Sequence, residues 1–387
     1  MRVLLISHTC QSRTEGQPKA YHLARLPGVE LRVLVPDRWR HYGAWRSAQP
    51  PAAGDFDCTI GKVAWPWAGP AQFYLHWYPG LGRMMEEFRP DVIDLWEEPW
   101  GLVSAHACWL RGQVLPGARV VSETEQNIAK RLPFPFERMR SFTLEHADFA
   151  VGRSTEAVEV LRARGYAGRA EVVPNAVDAE LFRPLEAAER EAARGELGMP
   201  GFVAGYVGRL IDSKGLTDLV DALPLCPNET RLLFVGDGPL RGTLERQAAA
   251  LGMTPRVRFL PARPLTELPR VMGALDALVL PSRTTRSWKE QFGRVIIEAH
   301  ACGVPVIGSG SGAIPEVVGQ GGLIVPERDP AALAGAVRRL VSDSALGRAL
   351  GAAGRRQVEE QYTWQRVAER MSLIYAAVTA QPRRKAV

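Results

Sequence analysis

Short apolar runs alternate with stretches of three-four periodicity along almost the whole chain. In the first half, runs at 3–7, 31–35, 92–96, 120–122 and 149–151 predict buried strands, with helix-length segments such as 71–89 and 136–146 between them. The second half repeats the scheme, with strands expected at 203–207, 232–235, 257–260, 277–280, 304–307 and 323–325. Runs without in-out alternation are covered on both faces, and a strand–helix–strand rhythm implies parallel strands joined by crossover helices. The pattern therefore predicts two doubly wound α/β sheets in series. Asp329, followed by Pro330, reads as a helix N-cap with proline at the first helical position. Near the end, Trp364, Val367, Met371, Ile374 and Val378 form one apolar stripe on a helix. The second sheet already has its helices, so this stripe is expected to pack back onto the first domain.

Length agrees with that reading, because 387 residues exceed the size at which one core stops growing, roughly 250–300 residues. The turn-rich stretch Val172-Val173-Pro174-Asn175-Ala176-Val177-Asp178 suits a hinge. The expected division is an N-terminal Rossmann-like domain at 1–176, a second Rossmann-like domain at 177–362, and a returning helix at 363–387. That last segment ends in a solvated basic tail, Arg383-Arg384-Lys385. Apolar residues at 46% and charged residues at 23% exclude a disordered chain. The net charge of +6 accumulates after Asp178 and forms no concentrated basic stripe, so it suits an anionic small molecule or weak contact with anionic lipid rather than nucleic acid. Cys10, Cys58, Cys108, Cys226 and Cys302 are widely spaced, as core thiols of a reducing cytosol are. The run at 3–6 is a strand rather than a signal-peptide core, and no window approaches the roughly 18 apolar residues of a spanning helix. A cytoplasmic protein is expected, its membrane contact limited to a peripheral one at the inner face.

Candidate chemistry gathers at strand ends in the second half. Arg209 closes one strand beside Gly208, and Lys214-Gly215 opens the next helix. Two cations outside the carboxyl end of an α/β sheet, beside a helix N-terminus, can hold a diphosphate, although surface placement explains them equally well. Gly236-Asp237-Gly238-Pro239 permits close backbone approach, or is an ordinary turn. In Trp288-Lys289-Glu290-Gln291-Phe292-Gly293-Arg294-Val295-Ile296-Ile297-Glu298, Glu290 precedes a helix and Glu298 lies inside it. A carboxylate among Ile296 and Ile297 needs partners, and a ribose diol supplies two donors; the free amides of the first turn suit sugar hydroxyls. Gly308-Ser309-Gly310-Ser311-Gly312-Ala313 satisfies a dinucleotide fingerprint, but Pro315 cuts the helix after it and no first βαβ unit precedes it. Its glycines better serve a phosphate. Asp55-Phe56-Asp57 fits a D-x-D metal-diphosphate pattern but reads as a loop, and the histidines show no metal-ligand spacing. Trp65, Trp67, Tyr74, Trp77 and Tyr78 form an aromatic cluster that serves either packing or sugar stacking.

Together these segments resemble family 4 glycosyltransferases, the retaining class of group 1 glycosyl transferases. The resemblance runs from about 172 to 341 through V-P-N-A-V-D, V-G-R-L-x-x-x-K-G, F-V-G-D-G-P, L-P-S, E-Q-F-G-R-V-I-I-E-A, A-C-G-V-P-V-I-G and I-P-E-V-V. It implies the GT-B fold: two Rossmann-like domains facing across a catalytic cleft. It implies sugar transfer from a nucleotide diphosphate sugar to a glycan, glycolipid or small molecule with retained configuration. A sugar-nucleotide epimerase, a phosphorylase of the same fold and a non-catalytic carbohydrate-binding protein are the rival readings. By resemblance, Arg209 and Lys214 grip the diphosphate, Glu298 takes the ribose, and Glu290 with the amides of Phe292 and Gly293 holds the transferred sugar. Asp237, Gly238, Arg294, Val295 and Gly16 complete the expected donor site, with no cofactor and no metal. Two departures stand out. Gly16 lacks the paired glycine often found in the first loop. Ser122-Glu123-Thr124-Glu125 occupies the strand end where many members carry a histidine, which makes Glu123 or Glu125 the candidate sugar contact.

Overall fold

The computed structural model describes residues 1–41, 44–65 and 71–380, apart from the side chains of His41 and Ala44. The chain forms two compact units: Met1–Pro174 with Trp364–Val387, and Asn175–Thr363. Trp67 and the basic tail at 383–385 lie outside the described residues.

The first unit holds β1 (Arg2–Ile6), β2 (Glu30–Pro36), β3 (Arg38–His41), β4 (Ala44–Ser47), β5 (Asp57–Gly61), β6 (Val92–Leu95), β7 (Arg119–Thr124), β8 (Phe149–Gly152) and β9 (Arg169–Val172). Seven of them make a parallel sheet in the order β5-β2-β1-β6-β7-β8-β9, and β3 and β4 pair as a separate antiparallel hairpin. Chain order reverses between β1 and β6, so the crevice outside their carboxyl ends is where such a sheet takes ligands. The second unit has β10 (Phe202–Val207), β11 (Thr230–Val235), β12 (Val257–Leu260), β13 (Ala277–Leu280), β14 (Val306–Ser309) and β15 (Gly322–Val325), in the order β12-β11-β10-β13-β14-β15. Its reversal falls between β10 and β13. Central strands are buried along their whole length because helices cover both faces, which is why they read as unbroken apolar runs.

Several expectations need correction. The segment 71–89 is two helices, Gln72–Leu75 and Leu81–Phe88, because Pro79-Gly80 interrupts it. The strand expected at 304–307 is Val306–Ser309; Pro305 has no amide to give the ladder. Asp57 opens an edge strand instead of lying in a loop, paired to Arg32 at 2.6 Å, and Asp55 pairs with Arg25 at 3.3 Å. The aromatic cluster is mainly packing, with Tyr78 buried, Tyr74 against Phe136, and Trp77 edge-on to both Trp65 and His106. All five cysteines are free thiols, four of them buried. No helix among the described residues is long and apolar enough to cross a membrane.

The helix Trp364–Thr379 belongs to the first unit, where its stripe packs against the helix Gln17–Ala24. It also reaches a buried polar network. The Tyr375 hydroxyl donates to Asp94 Oδ2 at 2.6 Å, and Lys19 Nζ lies 3.2 Å from the same oxygen. Lys19 and Arg153 both pair with Glu123. All of these side chains are within 2% of full burial. Burial pushes Asp94 up to about 7, with Glu123 adding to the rise. Burial would raise Glu123 as well, but Arg153 and Lys19 outweigh it and hold that carboxyl below its ordinary value. Tyr375→Phe removes one donor to a buried carboxylate and is expected to cost about 1–2 kcal/mol. Thermal unfolding should shift down by roughly 2–6 °C, while Leu373→Ala, at an exposed position on the same helix, should not move it.

Candidate functional site

In the second unit, glycines let the loops after neighbouring strands lie directly on one another. A Cβ on Gly236 would fall 2.0 Å from the Gly208 carbonyl oxygen, and one on Gly238 would fall 2.3 Å from that of Leu210. The Leu210 amide donates to the Asp237 carbonyl at 3.0 Å, and Asp237 Oδ2 accepts from the Ala262 amide at 3.0 Å. The loops after β10, β11 and β12 are thus stitched together, with the Arg209 carbonyl pinned by the Tyr206 hydroxyl at 2.8 Å. Gly215, at φ 65°, lets the loop after β10 rest on Pro281 after β13, where an added Cβ would sit 2.0 Å from the Pro281 carbonyl oxygen. The Arg283 amide donates to the Ser213 carbonyl at 2.8 Å across the same seam.

That seam presents Lys214 to Glu290. Lys214 Nζ donates to Glu290 Oε2 at 2.5 Å, the Ser282 hydroxyl donates to the same oxygen at 2.9 Å, and the ammonium lies 4.9 Å from the Trp288 ring centre. Glu290 is 7% exposed, and its carbonyl accepts from the Ala313 amide at 3.0 Å, which ties in the loop after β14. Gly293, at φ 79°, caps the helix Arg294–Ala301, whose first turn carries Arg294 and Val295. Phe292 is buried beneath it. Glu298 is half-buried in that helix; burial pushes its carboxyl up, opposed by Arg294. Burial likewise raises the Tyr206 phenol, with Glu290 adding and Arg209 opposing, so both charges bear on one buried ring. Lys214 and Glu290, expected at the diphosphate and at the sugar, form one ion pair. Ser282, Tyr206 and Trp288 join them; Ser282 stands within L-P-S and Trp288 heads the Glu290 segment, but the sequence assigned no role to any of the three.

Outside the carboxyl ends of β1, β6 and β7 the first unit has a pocket of about 240 Å³. Gly16 helps build this edge: it caps the helix Gln17–Ala24, and an added Cβ would meet the Thr9 carbonyl carbon at 2.4 Å. Glu123 touches the pocket but gives both oxygens to Lys19 and Arg153. Glu125 is half-buried beside Glu98, whose carboxylate accepts from the Thr124 hydroxyl at 2.5 Å and from the Glu125 amide at 2.9 Å. Among the described residues no group of histidine, cysteine or carboxylate side chains is arranged to hold a metal ion.

Burial, with Glu125 adding to it, pushes Glu98 up to about 8 from 4.5. The folded chain therefore holds this proton more tightly than the unfolded one. Stability from this group is complete below the unfolded value and is lost as pH rises towards the folded one. Glu98→Gln is expected to flatten the decline in urea stability between about pH 4.5 and about pH 8; an unchanged slope would refute the assignment.

Residues 20–181 match the family described as Glycosyltransferase Family 4, and residues 201–343 match Glycosyl transferases group 1. The chain is 30% identical over 299 residues to the D-inositol 3-phosphate glycosyltransferase of Corynebacterium jeikeium, covering 73% of this chain and 67% of that protein. It is 34% identical over 212 residues to the GDP-mannose-dependent monoacylated alpha-(1-6)-phosphatidylinositol monomannoside mannosyltransferase of Corynebacterium glutamicum, covering 53% and 55%. The match thus spans about half the length of that mannosyltransferase. Among solved structures, the Anabaena protein HepE in complex with UDP aligns with TM-score 0.76 and 19% identity over 97% of this chain and 100% of that one. Sucrose-phosphate synthase from Thermosynechococcus elongatus aligns with TM-score 0.73 and 23% identity, over 98% and 99%. At such identities the likeness concerns the fold.

Proposed function

The chain belongs to glycosyltransferase family 4, with the two α/β domains of the GT-B fold, and from that premise we propose that it transfers a sugar from a nucleotide diphosphate sugar to a glycan, glycolipid or small-molecule acceptor with retention of configuration. The observation that carries this reading is the Lys214–Glu290–Ser282 cluster at the β10/β13 reversal, beside the glycine-capped helix that contains Glu298. Arg209 and Lys214 neutralise the diphosphate, and Lys214, hydrogen-bonded to Glu290 Oε2, aims that carboxylate. Glu290 and the amides of Phe292 and Gly293 take hydroxyls of the transferred sugar. Asp237, Gly238, Arg294 and Val295 shape the donor site, and Glu298, raised by burial, takes the ribose diol. The first unit receives the acceptor.

In this mechanism neither carboxylate attacks the anomeric carbon. The acceptor hydroxyl attacks from the face the phosphate leaves, the departing phosphate oxygen takes its proton, and the two cations hold the leaving charge. The diphosphate needs no metal in this scheme. We place the enzyme in the cytoplasm in peripheral contact with the inner membrane face, a reading supported by the lipid acceptors named for its mannosyltransferase relatives. Transfer run in EDTA, with the new linkage read by NMR before mutarotation, tests both points together. The expected product keeps the donor's anomeric configuration at an undiminished rate. An inverted linkage, or loss of activity restored by Mg²⁺, would overturn the scheme.

A further inference from the structure

The loop after β13 is anchored before it reaches Glu290. Arg283 Nε donates to Asp218 Oδ2 at 2.8 Å. The Thr284 amide and hydroxyl both donate to Glu327, at 2.7 and 2.6 Å. Thr285 then closes a turn on Trp288: its amide donates to the Trp288 carbonyl at 2.8 Å, and its hydroxyl oxygen accepts from the Trp288 amide at 3.0 Å. The turn is exposed at Thr285, Arg286 and Ser287, yet Trp288 is half-buried. Among the described residues, the indole stands outside the apolar core of the second unit. Its ring centre lies 4.9 Å from the Lys214 ammonium, inside the roughly 6 Å over which an indole face attracts a cation.

We propose that Trp288 is a positioning residue for diphosphate recognition: its indole face restrains the Lys214 ammonium, so that the lysine loses little further freedom on meeting a phosphate. The inference rests on the transferase reading above and adds to it the residue that sets the lysine in place. A lysine carries three N–H donors on a flexible stem. One N–H of Lys214 is spent on Glu290 Oε2 at 2.5 Å. A single hydrogen bond fixes a distance and leaves the stem free to swing about it. The ring face removes that swing, and because it attracts the charge as a whole it takes no particular N–H, so donors remain for a phosphate oxygen. The side chain is only 18% exposed, which limits the water that competes with the ring. Ordering a loose, rotamer-rich side chain at the moment of binding costs up to about tenfold in affinity, and a lysine restrained beforehand escapes most of that cost. The indole acts through Lys214 and needs no contact with the ligand.

Calorimetry on the full chain with UDP, GDP and ADP tests this, the tightest of the three being carried through the variants. Trp288→Leu keeps an apolar side chain and loses the ring face; it should weaken the nucleotide by about tenfold. Trp288→Phe keeps a weaker face, should lose only about threefold, and serves if Trp288→Leu misfolds. The decisive arm is the double-variant cycle with Lys214→Ala. A residue that acts through Lys214 has nothing left to act on there, so adding Trp288→Leu should change the affinity of Lys214→Ala by less than about twofold. Wild-type affinity in Trp288→Leu, or in Trp288→Phe where the leucine variant does not fold, would overturn the inference. So would an equal loss from Trp288→Leu with and without Lys214, the mark of an indole that touches the nucleotide itself or merely supports the loop. Failure of all three nucleotides to bind the wild-type chain sinks the transferase reading and the inference with it, whereas nucleotide binding that Trp288→Leu leaves intact sinks only the inference.

Discussion

Lys214→Ala is expected to slow sugar transfer by about a hundredfold to a thousandfold, the usual cost of removing one charge-stabilising contact in a transition state. Two losses combine. The leaving diphosphate loses a cation, and Glu290 keeps the Ser282 hydroxyl but loses the ammonium 2.5 Å away. The carboxylate is 7% exposed, so water replaces that ammonium poorly. Arg209→Ala should act in the same direction, and both variants should lower turnover at saturating donor. Steady-state rates decide it; rates within threefold of wild type in both variants would remove the diphosphate assignment.

Glu123→Ala is expected to have the largest effect on stability of the substitutions considered. Its two oxygens face Lys19 and Arg153, which are 1% and 2% exposed at their side chains. Removing the carboxylate strands both cations in the interior, and breaking a buried pair typically costs about 3–5 kcal/mol. Unfolding should occur at roughly 10 °C lower, or the variant should fail to accumulate as folded protein. Glu87→Ala provides the contrast, because its pair with Arg83 is exposed at 56% and 85% and such pairs contribute about 0–1 kcal/mol. A melting temperature for Glu123→Ala close to that of Glu87→Ala would show that the network is not what holds this part of the first unit together.

The parts of the fold that were legible in the sequence share one physical feature, burial on both faces. The strands β1, β6, β8, β10 and β13 are buried over all or nearly all of their length, so their residues are mostly apolar, Asp94 of β6 being held in the buried polar network. The edge strands of the first sheet, β5 and β9, escaped notice for the opposite reason. β5 reads Asp-Cys-Thr-Ile-Gly and β9 reads Arg-Ala-Glu-Val, polar because one side of each meets solvent. The hairpin of β3 and β4 stands apart from the sheet and carries no alternating signal strong enough to find it. Around the Lys214–Glu290 pair, glycines and charged residues at strand ends marked the loops, because close approach of backbone leaves little choice of residue. Which side chains meet was not legible. Lys214 and Glu290 are 76 residues apart, and Lys19 and Glu123 are 104 apart. The reversal between β10 and β13 brings the first pair together, and the strand order β1-β6-β7 brings the second within reach. Glu123 drew attention as a strand-end carboxylate, yet its oxygens belong to the interior.

The most direct test of the account is titration calorimetry of the intact chain with UDP-glucose, GDP-mannose and ADP-glucose, repeated on the Arg209→Ala/Lys214→Ala double variant. The account predicts that at least one of these donors binds at a single site per chain, without added metal, and that the double variant loses that binding by a hundredfold or more, on the order of two such contacts. Failure of all three donors and of their free nucleoside diphosphates to bind, or undiminished binding by the double variant, would contradict it.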